Sequence, residues 1–293
     1  MIVLPGAPPV TIPDVVTSPE GWLTAVVDPT WAGVVLAVDY TASTPLPAAA
    51  AVRKVQIVRL DPGGQDPVPV RSADLAWALE GVGSAYDHEA PLGQAVTYTA
   101  RPQYTDGTWG PTTSLSVTVP APAVGARRDL WLKSLDMPSL SLRVQISSAD
   151  ARESAARMES ADLDGSPYPA VAYDVHTAAT TAVVVDVPPS QIEQMRQLLD
   201  SGVLLAQTRP GYLWPDAYFV PGDWSEKPTG KLGSTGGYLV GFTIAPIERP
   251  DTAGQGMRMP GWSWADVAAQ FGTYDAVAAA YSDYASLATN GAV

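Results

Sequence analysis

The segment Tyr86-Asp87-His88-Glu89-Ala90-Pro91-Leu92-Gly93 sets a histidine between two carboxylates. An imidazole in that setting could move protons near neutral pH or help to hold a metal ion. The chain has only two histidines, His88 and His176, and neither lies in a His-x-x-x-His or His-x-Glu spacing. A catalytic role for His88 needs a nucleophile or a metal partner, and no motif supplies one. Pro91 and Gly93 instead make the segment a loop at a corner, with its charges turned to water. Asp162-Leu163-Asp164-Gly165 resembles the start of a calcium loop but lacks the third acidic ligand and the downstream bidentate glutamate, so it reads as a turn. Residues 231–241 are glycine-rich without phosphate-loop or dinucleotide spacing. They precede a strand and not a helix, so no helix N-terminus faces a phosphate, and a hairpin loop explains them. Thirty acidic residues make a glycosidase pair impossible to single out without geometry. The expectation is a chain with no catalytic residues, no metal and no cofactor. Binding chemistry is better represented. Residues 211–224 gather Tyr212, Trp214, Tyr218, Phe219 and Trp224 among Pro, Gly and Asp. Rings beside carboxylates could stack on a glycan, which makes Tyr212, Trp214, Tyr218 and Trp224 candidate glycan contacts. The competing reading is a loop packed on its own domain or on another subunit.

The totals narrow the classes. The absence of cysteine excludes disulfides, thiolate catalysis and zinc–cysteine sites. The net charge of −13 and the lack of a Lys/Arg cluster beyond Arg127–Arg128 argue against nucleic-acid binding. An anionic membrane would repel such a chain. No stretch approaches the 18 apolar residues of a spanning helix, and residues 1–14 lack both the basic start and the unbroken apolar run of a signal peptide. Apolar residues make up 46% of the chain and charged residues 16%, which suits a large core.

The elements that must position these residues read as mainly β: a β-sandwich, a β-barrel-like α+β domain with one helix, and a short helical C-terminal segment. Residues 1–20 carry five prolines and read as an extended arm. Residues 21–122 alternate as short strands and turns, roughly seven strands. The cleanest is 52–60, where Val52, Val55 and Ile57 mark a buried face and the charged residues between them a wet one. Asp61-Pro62-Gly63-Gly64 and Asp106-Gly107 are turn signals. The stretch from Pro91 to Pro120 resembles the end of a fibronectin type III domain, matching at Leu92, Tyr98, Gly107, Trp109, Gly110 and Pro111. The front half fits that family by strand count and by Trp31. Residues 72–85 depart from it and read as a helical turn or an insertion.

Residues 121–130 read as a proline- and alanine-rich stretch, with the linker placed at 123–130 and the second domain at 131–250. Strands are expected at 139–147, 170–177, 181–187, 203–210, 217–226 and 238–248, with 150–169 as a loop or weak helix. A helix is expected over 188–202. Prolines open it, Ser190 could cap it, Ile192, Met195, Leu198 and Leu199 share a face, and Gly202 ends it. Residues 251–293 hold a ten-residue repeat. Trp264…Phe271, Tyr274…Tyr281 and Tyr284 open or close successive units, each with Val or Leu three residues in. Two short helices and a third turn are expected, each with an aromatic stripe, and Thr273 and Ser282 or Asp283 as caps. The rings Trp262, Trp264, Phe271, Tyr274, Tyr281 and Tyr284 are candidate interface residues, packing on their own domain or on a neighbouring subunit.

Taken in order, the helix of 192–210, the strand from Ala217, the hairpin ending at Pro250 and the aromatic decapeptides resemble minor tail proteins of siphophages with actinobacterial hosts, of distal-tail or tail-tip type. The barrel-type domain usually comes first in distal tail proteins, whereas here the sandwich comes first. The resemblance implies a structural subunit of a phage tail tip or baseplate, not an enzyme, made in the host cytoplasm and residing in the virion. It implies other tail proteins as partners (tail tube, tape measure, hub or other tip proteins) and a three- or six-fold ring of copies. The alternative is a glycan-binding module that contacts the host surface. Neither nucleic acid nor membrane insertion is implied.

Overall fold

The computed structural model describes residues 15–42, 44–123, 130–162, 164, 167–212, 214–230, 236–251 and 256–291. The chain is mainly β, 41% strand and 14% helical. It divides into two compact units: residues 1–90, 94–120 and 252–293, and residues 91–93 and 121–251. Most of the expected N-terminal arm (1–14), most of the expected linker (124–129), Leu163 and Gly165 of the calcium-like turn, and 231–235 of the glycine-rich run lie outside the described residues.

In the first unit, nine strands follow one another: β1 (Val15–Thr17), β2 (Leu23–Asp28), β3 (Gly33–Asp39), β4 (Val52–Leu60), β5 (Val68–Pro69), β6 (Ala76–Trp77), β7 (Val82–Asp87), β8 (Ala95–Tyr104) and β9 (Thr113–Thr118). They form two antiparallel sheets, β1-β2-β3-β7 and β5-β4-β8-β9, with β6 also paired to β4. Period-two alternation explains the sandwich between them. Val34, Leu36 and Val38 of β3 and Val55 and Ile57 of β4 are buried, as are Tyr98 and Ala100 of β8. Between β8 and β9 the amide of Gly107 donates to the carbonyl of Tyr104 at 3.0 Å. Gly107 sits at φ +83, which a side chain would resist. Of the two readings of 72–85, a helical turn or an insertion, the helical turn is corrected: Ala76–Trp77 pairs with β4, and Val82 begins β7. The β-branched and aromatic residues there find ladder partners, and tertiary pairing overrides the local alanine-rich look.

In the second unit the strands are β10 (Leu130–Ser134), β11 (Leu142–Ala149), β12 (Met158–Ala161), β13 (Ala170–Tyr173), β14 (Thr181–Val187), β15 (Leu204–Gln207), β16 (Ala217–Phe219), β17 (Ser225–Pro228) and β18 (Tyr238–Ile244). Seven of them form an antiparallel half-barrel sheet in the order β16-β15-β10-β11-β14-β18-β17. Helix α1 (Ile192–Leu199) fills it. Ile192, Met195, Leu198 and Leu199 are its buried face, packed with Leu132, Val144, Val185 and Phe242. Pro188 and Pro189 lead in through a 3-10 turn, and Gln191 is the cap residue, without a side-chain bond, so Ser190 does not cap. Arg196 on the outer side clasps Glu226 of β17 through Nε and Nη2 at 2.9 and 2.8 Å. Three expectations change. Leu130–Ser134 is a fully buried strand where the linker was expected to end. The single strand expected at 217–226 is two. The expected loop or helix at 150–169 contains β12, paired with β13.

The C-terminal residues fold as α2 (Trp264–Gln270), α3 (Tyr274–Ala280) and α4 (Tyr284–Ala288) and belong to the first unit. Ahead of them, Met257 and Met259 lie on Val26, Val35 and Tyr86, a cross-strand row on the outer face of the β1-β2-β3-β7 sheet. No helix among the described residues is long and apolar enough to cross a membrane.

Candidate functional site

His88 and its acidic neighbours occupy a structural clasp. Asp87, His88 and Glu89 are all buried, so their charges do not face water as the corner reading expected. The reason lies on the facing strand. Arg59, which strand alternation turns inward, donates from Nη1 to both oxygens of Asp87 at 2.9 and 2.7 Å. Its Nε and Nη2 reach Asp61 at 2.6 and 3.1 Å. Tyr98 of β8 donates its hydroxyl to Asp87 at 2.7 Å, and the amide of Glu89 adds a bond at 2.9 Å. Arg71 donates from Nε and Nη2 to Glu89 at 3.2 and 3.1 Å. Burial pushes the Asp87 carboxyl upward, but the Arg59 charge and these donors outweigh it and hold it below the ordinary carboxylate range. Burial, then the Asp87 charge, pushes the Tyr98 phenol well up. A carboxylate saturated by donors in a closed interior is a tie between β4, β7 and β8, not a general base. His176 stands exposed beyond β13, outside the strand expected there. Among the described residues no three His, Asp or Glu side chains gather as metal ligands would.

The aromatic loop of 211–224 is built into its own unit. Trp214 is 8% exposed and belongs to the half-barrel core, and Trp224 leans on the same core. That burial withdraws Trp214 from any sugar-stacking platform. Tyr212 is half-buried with the Arg209 guanidinium 4.0 Å from its ring centroid. Tyr218 is half-buried in β16, bridged to Ile247.

The C-terminal rings divide into two sets. Each seven-residue helix stops before the second ring of its unit, so Phe271 and Tyr281 are extended at φ −120 and −125. The first and second rings therefore do not share one helix face, which corrects the expected stripe. Phe271 and Tyr281 turn toward each other at 5.8 Å, and Tyr281 meets Trp262 at 6.3 Å. Trp262 is further fixed by a 2.8 Å bond from Nε1 to the carbonyl of Leu287. The leading rings Trp264, Tyr274 and Tyr284 face outward, Tyr274 at 90% exposure, and Trp264 and Tyr284 lie 6.4 Å apart. Thr273 accepts from the amide of Ala276 and Asp283 from that of Ser286, as caps.

One long exposed feature was legible in the sequence only in its second strand, expected at 170–177. Strands β11 and β14 continue past their sheet into a two-stranded arm that ends in β12 and β13. Backbone bonds run through Asp150–Ala182, Glu153–Thr180 and Asp174–Arg157 to the β12–β13 ladder. Every described residue from 147 to 176 is exposed. Register puts Met158 opposite Tyr173 and Ser160 opposite Val171 on one face, with Glu159, Ala161, Ala170 and Ala172 on the other. Tyr173 is 86% exposed, and Val175 and Tyr168 stand open beside it. The signal was there in Ala170–Tyr173, but its partner Met158–Ala161 lacks a strand composition. Compared with known proteins, the chain matches no family model and no curated protein.

Proposed function

We propose that the chain is a structural subunit of a bacteriophage tail tip or baseplate, a minor tail protein whose arm and outward C-terminal rings dock on neighbours. The arm carries this reading. A two-stranded ribbon with neither face covered is marginal in water, and this one presents Met158, Val171 and Tyr173 on one side. Each such side chain contributes about 1.5–3 kcal/mol when a partner covers it. Six carboxylates against two arginines in residues 150–176 call for a docking surface with basic residues around an apolar floor. Buried, donor-saturated acids in the sandwich favour a building part over an enzyme. The two-sheet sandwich is consistent with the fibronectin type III resemblance.

The chain has no cysteine, so Tyr173→Cys introduces a single thiol at the arm. In assembled tails this thiol is expected to resist maleimide labelling, whereas in the free protein it reacts fully. A variant with residues 153–177 replaced by a short turn is expected to keep its thermal transition and to be missing from purified particles. Normal incorporation of that variant, or equal labelling in free and assembled states, overturns the proposal.

A further inference from the structure

We infer that the outer face of the β5-β4-β8-β9 sheet binds an acidic polysaccharide. Register aligns four residues across this face: Trp77 pairs with Lys54, Lys54 with Gln103, and Gln103 with Trp109. Directly paired residues share a sheet face, so the row carries an indole at each end and polar groups between. Three inter-strand steps of about 4.8 Å set the two indoles roughly 14 Å apart, a span that a short run of linked sugars covers. Each indole is held by a cation: Lys54 Nζ lies 5.3 Å from the Trp77 ring and the Arg101 guanidinium 4.6 Å from that of Trp109. Trp77 is 77% exposed, so most of its surface remains open to a ligand.

The rest of the face carries hydroxyls and amides, with Val58 and Leu60 beside them opposite Thr99 and Thr97. Thr99 pairs with Ser114 and Thr97 with Ser116, each at 2.9 Å. Gln56 engages Asp74 at 3.0 Å. A protein-docking surface has an apolar centre and a polar rim; here the rings are at the ends and the polar groups at the centre, which suits a sugar chain. Charge decides the class of sugar. Among the described residues neither Lys54 nor Arg101 forms an ion pair with a carboxylate, although the chain as a whole carries a net charge of −13. Two cations left without counter-charges in so acidic a protein match carboxylate or phosphate groups on the ligand. The opposite sheet has its outer Val26–Val35–Tyr86 row covered by Met257 and Met259, whereas the row on this sheet has Trp77 and Trp109 exposed and Lys54 and Gln103 half-buried between them. The site is independent of the arm and of the assembly reading.

Affinity electrophoresis of the full chain in native gels tests the inference. Polygalacturonate in the gel is expected to retard the protein and neutral dextran to leave it unmoved. Trp77→Ala and Trp109→Ala are each expected to weaken retardation at least tenfold, and Lys54→Gln with Arg101→Gln to abolish it. All four side chains lie on the outer face, so an unchanged thermal transition is expected to accompany each loss. The variant lacking residues 153–177 is expected to bind as the full chain does, so failure of assembly and failure of binding are separately visible. No retardation by polygalacturonate, equal retardation by dextran, retardation indifferent to both tryptophans, or displacement by a short oligo-thymidine overturns the inference.

Discussion

At the scale of single residues, the Asp87 clasp decides what the Asp-His-Glu triplet is for. Removing one partner of a buried, paired charge leaves the other uncompensated, at a cost of about 3–5 kcal/mol. Asp87→Asn is therefore expected to lower the free energy of unfolding by about that amount at pH 7, read by urea denaturation. The pH dependence has a definite sign. The Asp87 carboxyl is held below its ordinary value in the fold, so it takes up a proton less readily native than unfolded. Its contribution is complete above the ordinary carboxylate range and is lost as pH falls through its lower, folded value. The Asn variant is expected to show a shallower acid decline of stability than the parent over that window. His88 is 5% exposed and its ring lies 5.8 Å from that of Tyr86. Its place is beside the clasp, in the interior of the unit.

At the scale of elements, α1 shows how a periodic face fixes a curled sheet. Met195 is fully buried between the helix and the half-barrel. Met195→Ala is expected to cost about 2–5 kcal/mol, measured by thermal or urea unfolding, and to leave the first unit's own transition unchanged. This helix was legible from its 3.6-residue spacing, and β4 and β14 from their density of valine and isoleucine, and both strands keep the expected limits. What escaped had a physical reason in each case. Met158–Ala161 is polar and small, so nothing local marks it; its strand character comes from the ladder with Ala170–Tyr173. Leu130–Ser134 is buried throughout, Lys133 included, so it has no wet face to alternate with. Arg59 is a charge that strand alternation turns inward, and Asp87 of the facing strand together with Asp61 makes that turn tolerable. The repeat at 264–288 was legible in period and in its Thr273 and Asp283 caps. The outward set of Trp264, Tyr274 and Tyr284 was not separable from the inward set, because helix length decides which rings part company. Among the glycan candidates, Trp214 could not be told from an exposed ring, since core membership depends on strands far off in sequence.

At the scale of the whole molecule, the second unit has its own core cluster, drawn entirely from residues 130–244. The first includes a piece that returns to it from after the second in sequence, Met257 and Met259. A chain ended after Asp251 is expected to leave the second unit's unfolding transition in place and to lower the first's, in a calorimetric scan resolving both. Gly33 belongs to the same region: a Cβ there would strike the Tyr86 hydroxyl, whose ring is part of the covered row. That return of Met257 and Met259 has a consequence for biogenesis. When Tyr86 leaves the ribosome, the residues that cover its row are still about 170 codons away, a delay of roughly ten to thirty seconds at ordinary elongation rates. Throughout that interval the nascent sandwich shows a bare valine–tyrosine strip to solvent, and the second unit must be made before the strip closes. Any helper that shields nascent chains has its longest opportunity there.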